Sequence, residues 1–211
     1  MRQKLISTVA AEILAREARR VAIDGVDGAG KTHFADELAA ELTGRGVPVI
    51  RASVDGFHQP RVFRHRRGPD SPEGFFRYSF DYPRLIGLLL DPLGPRGTGR
   101  FVRAVYDVHN EKPVDHVPER AEPGAILVLD GIFAHRIELA GHWDYSVWLE
   151  VPFAVSIPRG AARGSGDPDP DAASNRRYVE GQRLYLAECD PRTKATTVID
   201  NTDLENPRRL R

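Results

Sequence analysis

Short apolar runs rich in β-branched residues recur along the chain and predict buried strands. They occupy residues 21–23, 47–54, 125–129, 145–149 and 196–200. Between such runs the apolar residues change to helical spacing, as in Phe34, Leu38 and Leu42. Strands that alternate with helices are typical of α/β proteins, in which helices cover a parallel sheet. The pattern therefore predicts an α/β domain.

An amphipathic helix is predicted ahead of the first strand. Residues 3–18 place Leu5, Val9 and Ile13 on one helical stripe. Short amphipathic helices in globular proteins usually cover a core with such a stripe. A membrane-surface or dimerisation role is the alternative.

A glycine-rich loop at residues 25–32 joins the first strand to the next helix and fits the pattern G-x-x-x-x-G-K-[ST] at every fixed position. Glycines let backbone N–H groups surround a polyphosphate at the positive end of a helix. Lys31 would reach the β- and γ-phosphates, and the Thr32 hydroxyl would bind Mg²⁺. A turn that only caps the helix is the alternative. The candidate nucleotide-binding residues are Gly25, Asp27, Gly28, Ala29, Gly30, Lys31, Thr32 and His33.

Two aspartates follow apolar runs and are candidates for the chemistry. Ligands of an open parallel sheet bind beyond the carboxyl ends of its strands, so side chains at these ends face the phosphates. Asp55 follows the second run and is the candidate catalytic carboxylate, with an Asp-Gly turn as the alternative. Asp130 follows a continuous apolar run and has the position of a carboxylate that holds Mg²⁺ directly or through water. Thr32 and Asp130 are therefore the predicted metal ligands, with a plain turn aspartate as the alternative for Asp130.

The segment from residue 56 to 109 is the candidate substrate-binding part. Residues 71–83 alternate aromatic and polar side chains, which predicts a hairpin or a wall of the substrate site. Packing of these rings onto the core is the alternative. A short helix is predicted at residues 85–90, and the alternation over residues 101–108 predicts a further strand.

Residues 159–177 have the composition of a mobile lid. Arg159 and Arg163 lead into residues 164–171, which hold no core-forming side chain. Arginines that close over a phosphoryl group raise its transfer rate by roughly a thousandfold or more. Arg159 and Arg163 are therefore candidate catalytic residues beside Lys31. A flexible acidic surface loop flanked by solvated arginines is the alternative.

The composition of the whole chain narrows the classes of function. Its 211 residues, 41% of them hydrophobic, suit a single domain over residues 1–211. Thirty acidic and thirty basic side chains give zero net charge, which argues against a nucleic-acid partner. Cys189 is the only cysteine, so neither an intramolecular disulfide nor a thiolate metal site is expected. No apolar run has the length of a signal or a membrane span, and we expect a cytoplasmic protein without a membrane partner.

Motifs spread over residues 20–205 make the chain resemble one family. Beside the phosphate loop they are Asp55-Gly56-Phe57-His58, Ser79-Phe80-Asp81-Tyr82-Pro83, Val105-Tyr106-Asp107, Leu129-Asp130-Gly131-Ile132 and Val198-Ile199-Asp200-Asn201. With them the chain resembles the uridine kinase and phosphoribulokinase family. The resemblance implies the P-loop NTPase fold, a three-layer α/β/α architecture with a parallel five-stranded sheet and a mobile lid. It also implies phosphorylation of a small-molecule hydroxyl, with ATP and Mg²⁺ as cofactors.

The resemblance also implies roles for individual residues. Asp55 corresponds to the acid beside the acceptor hydroxyl, Asp81 to an acid that binds ribose, and Tyr106 to an aromatic residue that contacts the base. Arg159 and Arg163 correspond to the lid arginines. The candidate substrate-binding residues are His58, Phe80, Asp81, Tyr106 and His109.

Three positions depart from the family pattern. Asp130 stands where glutamate is usual, and Glu111 stands where uridine kinases carry a base-reading histidine. Pro158 interrupts the helix expected to carry the lid arginines, since proline inside a helix costs about 3 kcal/mol. The motifs Ser-Pro-Glu-Gly and Asp-Gly-Phe-His also resemble pantothenate kinase. The type of reaction is therefore better specified than the acceptor.

The leading hypothesis is a uridine or cytidine kinase that phosphorylates the 5′-hydroxyl of the nucleoside. A kinase of a pantothenate-like or sugar-phosphate acceptor is the alternative within the same fold. A regulatory nucleotide-switch ATPase belongs to another class, and the chain has no Asn-Lys-x-Asp motif to support it. A non-catalytic nucleotide-binding module would not need Lys31, Thr32, Asp55 and Asp130 together. The sequence leaves open whether the chain forms a homo-oligomer.

Overall fold

A six-stranded sheet forms the centre of the molecule in the computed structural model, which describes residues 1–164 and 166–211. In chain order, the strands of this part of the protein are β1 (Arg20–Gly25), β2 (Val49–Ser53), β3 (Arg100–Phe101), β4 (Tyr106–Asp107), β5 (Lys112–Pro113), β6 (Glu119–Arg120), β7 (Ile126–Asp130), β8 (Tyr145–Glu150), β9 (Thr197–Asp200) and β10 (Arg208–Arg209). The main sheet has the order β10-β9-β8-β1-β7-β2, while β3 pairs with β6 and β4 pairs with β5.

Helices flank the sheet in a three-layer α/β/α arrangement. Within the described residues they are α1 (Arg2–Ala15), α2 (Lys31–Gly44), α3 (Arg61–Arg64), α4 (Pro72–Tyr78), α5 (Tyr82–Leu85), α6 (Phe153–Ala161), α7 (Arg176–Cys189) and α8 (Pro191–Lys194). Single 3₁₀ turns occupy Val54–Phe57, Ile137–Leu139 and Ala173–Asn175, and a π-helical turn occupies Ile86–Leu90.

Two adjacent interior strands of the sheet, β1 and β7, are buried along their whole length. Their parallel register pairs Ile23 with Asp130, and the register of β2 with β7 pairs Ser53 with Asp130. The carboxyl ends of these strands therefore meet at one edge of the sheet. This edge brings together the loop after β1, Asp130 and the turn after β2.

The predicted architecture is confirmed, with one correction to the sheet. Five strands run parallel as expected, but a sixth, β10, adds antiparallel to β9. Its register pairs Arg208 with Asp200, and the Arg208 guanidinium also contacts the Asp200 carboxylate at 2.9 Å. A two-residue strand of exposed arginines carries no apolar alternation, so the sequence predicted only a polar tail there.

The amino-terminal helix covers the core, as the apolar stripe predicted. Ile6, Val9 and Ile13 are at most 1% exposed, and α1 packs against α2. Among the described residues, none of the helices combines the length and the apolar character that crossing a membrane requires.

The hairpin predicted within residues 71–83 is wrong, because this segment begins with a helix. The Ser71 hydroxyl accepts a hydrogen bond from the Gly74 N–H at 3.0 Å, and Pro72 occupies the first turn of α4. Both features favour the start of a helix. Phe75 and Phe76 are buried, so these rings pack onto the core.

The continuous strand predicted over residues 101–108 is also wrong. The segment changes its hydrogen-bonding partners along its length: the Val102 N–H donates to Leu88 at 2.9 Å, whereas the Val105 N–H donates to Gly56 at 2.7 Å. Only the two-residue strands β3 and β4 remain. Pro158, in contrast, does not end its helix, since α6 continues through it to Ala161.

Candidate active site

The phosphate loop owes its shape to glycine at two positions. Gly28 and Gly30 adopt φ values of 75° and 90°, in the left-handed region that other residues rarely enter. A Cβ atom at Gly28 would also overlap the carbonyl oxygen of Ser156 on α6. The loop thus lies against the lid-bearing helix with its N–H groups at the start of α2. This geometry is a cradle for an anion.

Contacts from distant parts of the chain hold the same loop. The Asn201 side chain, fully buried after β9, donates to the Ala29 carbonyl at 2.7 Å. Lys31 Nζ bends back across the loop and donates to the Val26 carbonyl at 2.9 Å. The ammonium group of Lys31 is therefore directed over the cradle, where a polyphosphate would replace this single carbonyl.

A buried polar network lies directly behind the loop. Asp24 is fully buried, and its carboxylate accepts hydrogen bonds from the Gly25 N–H at 2.8 Å and from the Tyr185 hydroxyl. His135 Nδ1 lies 2.7 Å from the same carboxylate, and its Nε2 lies 3.0 Å from the Ser146 hydroxyl. Buried polar groups that are satisfied in this way rigidify their surroundings. These residues were not among the predicted site residues, although Asp24 directly after an apolar run was a visible signal.

Asp27 connects the loop to α7. Its N–H donates to Gln182 Oε1 at 2.6 Å, and Gln182 Nε2 donates back to an Asp27 carboxylate oxygen at 3.2 Å. Removal from water raises the pKa of Asp27, and the nearby charge of Asp55 adds to this effect, while Lys31 and Arg163 oppose it. The side chains of the loop, of the turn after β2 and of the lid therefore interact electrostatically at one place. Gln182 is a site residue that sequence reasoning missed.

The phosphate loop and residues of α6, of α7 and of the segment between them line a cleft of 490 Å³. The polar side chains that line the cleft belong to Asp27, Ser156, Arg163, Ser174, Asn175 and Tyr178, and Gly28, Gly160 and Gly166 line it as well. Ser156 Oγ is buried there without a hydrogen-bond partner among the described residues. The size suits a small molecule.

The predicted metal ligands lie in contact. Thr32 Oγ1 donates to an Asp130 carboxylate oxygen at 2.7 Å, and Arg51 approaches the other oxygen of Asp130 at 2.9 Å. Within residues 1–164 and 166–211, no group of three or more His, Cys, Asp or Glu side chains could hold a metal ion. Mg²⁺ in nucleotide sites takes few protein ligands and completes its shell with phosphate oxygens and water. The pair Thr32 and Asp130 fits that mode of binding.

Asp55 lies in the 3₁₀ turn that follows β2, with an exposed side chain. The turn begins at Ser53, whose hydroxyl accepts a hydrogen bond from the Asp55 N–H at 3.2 Å. Gly56 is required next, because a Cβ atom there would lie 2.8 Å from the Arg103 carbonyl oxygen. The charge of Asp55 helps to raise the pKa of Asp27, so the candidate catalytic carboxylate lies near the phosphate loop.

His58 and Phe80, two candidate substrate-binding residues, pack against each other with ring centroids 4.5 Å apart. His58 Nδ1 lies 2.8 Å from the Asp55 carbonyl oxygen, and burial lowers the pKa of His58 despite that hydrogen bond and the nearby Asp55 charge. Phe80 is 4% exposed and also packs on Phe133, so its ring belongs to the core. Asp81 caps α5 by accepting a hydrogen bond from the Arg84 N–H at 3.1 Å.

Tyr106 belongs to a polar cluster with Glu111 and Arg64. The Tyr106 hydroxyl donates to one Glu111 oxygen at 3.1 Å, and Arg64 pairs with the other. Partial removal from water opposes ionisation of Glu111, but the two hydrogen bonds outweigh it and lower the Glu111 pKa. His109, two residues before Glu111, is exposed in a turn closed by Asp107 and lies outside this cluster.

The two candidate lid arginines have different surroundings. Arg163 is exposed and lines the cleft beside Asp27. Arg159 instead donates to the carbonyl oxygens of Asn201, at 3.1 Å, and Thr202. Ser165, within the predicted lid, lies outside the described residues. The structure thus places Arg163, Lys31 and Asp27 near one another at the cradle. The Arg159 guanidinium instead contacts the loop after β9.

Comparison with known proteins identifies solved structures of the same fold. No family model matches the sequence. A protein described as a possible uridine kinase, from Bacillus stearothermophilus, superimposes with a TM-score of 0.71 at 20% identity over 92% of this chain and 96% of its own. D-glycerate 3-kinase from Cryptococcus neoformans superimposes with a TM-score of 0.64 at 12% identity over 98% of this chain and 99% of its own.

A third solved structure adds another acceptor class. A protein proposed to be a fructose transport system kinase, from Silicibacter sp. TM1040, superimposes with a TM-score of 0.67 at 22% identity over 86% of this chain and 94% of its own. These neighbours are similar to the present chain in fold across nearly its whole length. Their names cover a nucleoside, a sugar and a hydroxy acid, so the fold alone does not select an acceptor.

Proposed function

We propose that this chain is an ATP-dependent kinase that transfers the γ-phosphoryl group to a hydroxyl of a small molecule. One observation supports the proposal: beside the glycine cradle Lys31 donates to the Val26 carbonyl and Thr32 donates to Asp130, while the charge of Asp55, in the turn after β2, acts on Asp27 of the loop. Phosphoryl transfer depends mainly on positioning and on charge stabilisation. The residues gathered here provide both.

Each group has a part in the transfer. The backbone N–H groups of the loop and Lys31 bind the phosphates and stabilise the charge that develops on the γ-phosphoryl oxygens. Thr32 and Asp130 would hold Mg²⁺ that arrives with ATP, and the ion would supply further charge neutralisation. Asp55 orients the acceptor hydroxyl and accepts its proton. Arg163 lines the cleft beside Asp27 and is the lid arginine assigned to the transferred group.

A pyrimidine nucleoside, uridine or cytidine, is the first candidate acceptor, phosphorylated at its 5′-hydroxyl. Support comes from the resemblance in motifs and from a structural neighbour described as a possible uridine kinase. Tyr106 and Glu111 form a hydrogen-bonded pair close to His58, able to present polar groups to a base. Asp81 remains the proposed ligand of the ribose hydroxyls.

An anionic acceptor, such as a sugar phosphate or a hydroxy acid, is the second candidate. It is favoured by the gathering of Arg61, Arg64 and Arg177 around His65, whose pKa is lowered by burial and by these three positive charges. Such a cluster would attract a phosphate or carboxylate group.

A steady-state comparison of acceptors with purified protein and Mg-ATP distinguishes the candidates. The panel contains uridine, cytidine, 2′-deoxyuridine, pantothenate, D-glycerate and ribulose 5-phosphate, and ADP release is measured with and without each acceptor. Strong dependence on an added hydroxyl compound is expected for a kinase. The highest kcat/KM with an anionic acceptor would refute the nucleoside assignment and keep the kinase. Hydrolysis of ATP that no acceptor stimulates would contradict the kinase assignment itself.

A further inference from the structure

Arg51 on β2 carries a guanidinium group surrounded by acceptors. Its Nη1 donates to the carbonyl oxygens of Ala52 at 3.0 Å and Val128 at 2.8 Å. Its Nε donates to Asp36 at 2.9 Å, and its Nη2 lies 2.9 Å from one oxygen each of Asp36 and Asp130. Four of the five N–H donors of the guanidinium therefore donate a hydrogen bond. A solvated surface arginine is not held in this way.

The strand register and the position of α2 bring Arg51, Asp36 and Asp130 together. Ser53 pairs directly with Asp130, so Arg51, two residues earlier on the same face of β2, is the diagonal neighbour that a long side chain can reach. Thr32 and Asp36 lie one turn apart on α2 and approach the same point. Asp130 consequently meets Thr32 with one carboxylate oxygen and Arg51 with the other.

The pairing changes what Asp130 can offer to a metal ion. Asp130 is only 4% exposed, and a buried carboxylate without a partner is strongly destabilising. Arg51 supplies the compensating positive charge before any cation is present. The same charge repels a second cation that approaches Asp130.

We propose that Arg51 is a positioning residue for the metal of the nucleotide site. It fixes the Asp130 carboxylate and neutralises it, so that a divalent cation binds only together with the phosphates of a nucleotide. This inference rests on the proposed kinase function and extends it, because it assigns the nucleotide dependence of metal binding to one side chain. The phosphates restore the negative charge that Arg51 cancels.

The test measures metal dependence without an acceptor. Binding of a fluorescent ADP analogue to the purified full chain is titrated with Mg²⁺, and Mn²⁺ binding without nucleotide is followed by loss of the free-ion EPR signal. In Arg51→Met, the Mg²⁺ concentration for half-maximal ADP binding is expected to fall about tenfold, because one repelling charge is removed. Mn²⁺ is then expected to bind to the variant without nucleotide, and the unmodified protein is expected not to bind it.

Two variants separate charge from hydrogen-bonding geometry. Arg51→Lys keeps the positive charge and is expected to stay within about threefold of the unmodified protein in its Mg²⁺ requirement. Asp36→Asn removes the outer partner of Arg51 but leaves Arg51 and Asp130 in place, and the same result is expected. Thermal melting and circular dichroism establish that each variant is folded.

An unchanged or increased Mg²⁺ requirement in folded Arg51→Met would overturn the proposal. So would equal Mn²⁺ binding by variant and unmodified protein without nucleotide. If Arg51→Met does not fold, Arg51→Lys carries the test, and a shift beyond threefold counts against the role of charge. Failure of the unmodified chain to bind ADP at any Mg²⁺ concentration would instead refute the proposed nucleotide site, and with it the kinase function.

Discussion

The phosphate region (residues 24–32 with Asp130) and the acceptor region (residues 56–113) meet at one edge of the sheet but are built differently. The phosphate region extends from β1 and β7, two adjacent interior strands that are buried throughout. The acceptor region consists of four- and seven-residue helices, a π-helical turn and two-residue strands. The first is therefore held by the sheet itself, whereas the second depends on contacts between individual side chains.

The supporting contacts follow the same division. Behind the phosphate loop, Asp24, His135 and Tyr185 form a buried network in which each polar group has a partner. In the acceptor region, the pair of Arg64 with Glu111 is partly exposed. Substitutions of the exposed polar side chains in the acceptor region should consequently alter the choice of acceptor at little cost to folding. Those in the phosphate region should abolish turnover or lower stability.

The largest effect is expected at Asp55, where the two regions meet. Asp55→Asn should lower kcat about a thousandfold, since the acceptor hydroxyl loses its proton acceptor. ATP affinity should change little, because the cradle and Lys31 remain. Turnover with the best acceptor and binding of a fluorescent ATP analogue are the measurements, with exposed Asp115→Asn as the matched control. If ATP binding collapsed as well, Asp55 would be better explained as a metal ligand.

Lys31→Ala tests the phosphate region alone. Loss of the ammonium group should slow phosphoryl transfer at least about a hundredfold, or ~2.7 kcal/mol of transition-state stabilisation, while the fold stays intact. Steady-state kinetics and circular dichroism provide the measurements. Lys112→Ala, in an exposed strand of the acceptor region, is the control and should leave nucleotide use unchanged. Near-normal turnover of Lys31→Ala would contradict the assignment of the loop.

A substitution in the buried network behind the phosphate loop should lower the stability of the fold, although it removes no residue assigned to phosphoryl transfer. His135→Ala leaves the fully buried Asp24 carboxylate short of one partner, and the free energy of unfolding should fall by about 2 kcal/mol. Urea unfolding measures the change. Exposed His116→Ala should have almost no effect. Equal stability of the two variants would show that the network does not support the phosphate region.

The same division explains how far the sequence could predict the molecule. The strands of the sheet and the phosphate loop carry strong local signals, and in the structure Asp130 lies beside Thr32, as the predicted fold implied. The hairpin predicted at residues 71–83 was wrong because Ser71 caps a helix that begins at Pro72. The alternation of aromatic and polar residues favoured a strand, and the sequence alone does not show which of these two signals prevails.

Contacts between residues that are distant in sequence could not be predicted either. Gln182 meets Asp27 across 155 positions of sequence, and Arg51 meets Asp130 across 79. Neither glutamine on a helix nor arginine on an edge strand signals a site by itself. The role proposed for Arg159 from the resemblance stays a prediction, while its guanidinium contacts the carbonyl oxygens of Asn201 and Thr202.

A smaller effect, confined to the acceptor region, is expected for Glu111→Gln. The substitution weakens the hydrogen bonds that tie Tyr106 to Arg64, and kcat/KM for the acceptor should fall about tenfold, the equivalent of one charged hydrogen bond. KM for ATP should not change. Acceptor and ATP kinetics at fixed pH measure both quantities. An equal loss for ATP would show that the two regions are not separable.

The smallest effect is a difference in how the two regions respond to pH. Burial lowers the pKa of His58 in the acceptor region and raises that of Asp27 in the phosphate region. For His58 the unfolded chain binds more protons below its ordinary pKa of about 6.5, so stability from this site is lost as the pH falls below that value. For Asp27 the folded state binds more protons, so stability is lost as the pH rises above about 3.8.

Urea unfolding of His58→Gln and Asp27→Asn between pH 4.5 and 7.5 therefore has opposite expected outcomes. The unfolding free energy of the unmodified protein minus that of His58→Gln should increase from low pH to about 6.5 and then stay level. The same difference for Asp27→Asn should decrease with pH until the Asp27 carboxyl is ionised in the folded state. If the two differences changed with pH in the same direction, burial would not shift the pKa values of His58 and Asp27 in opposite directions. The proposed electrostatic difference between the two regions would then be wrong.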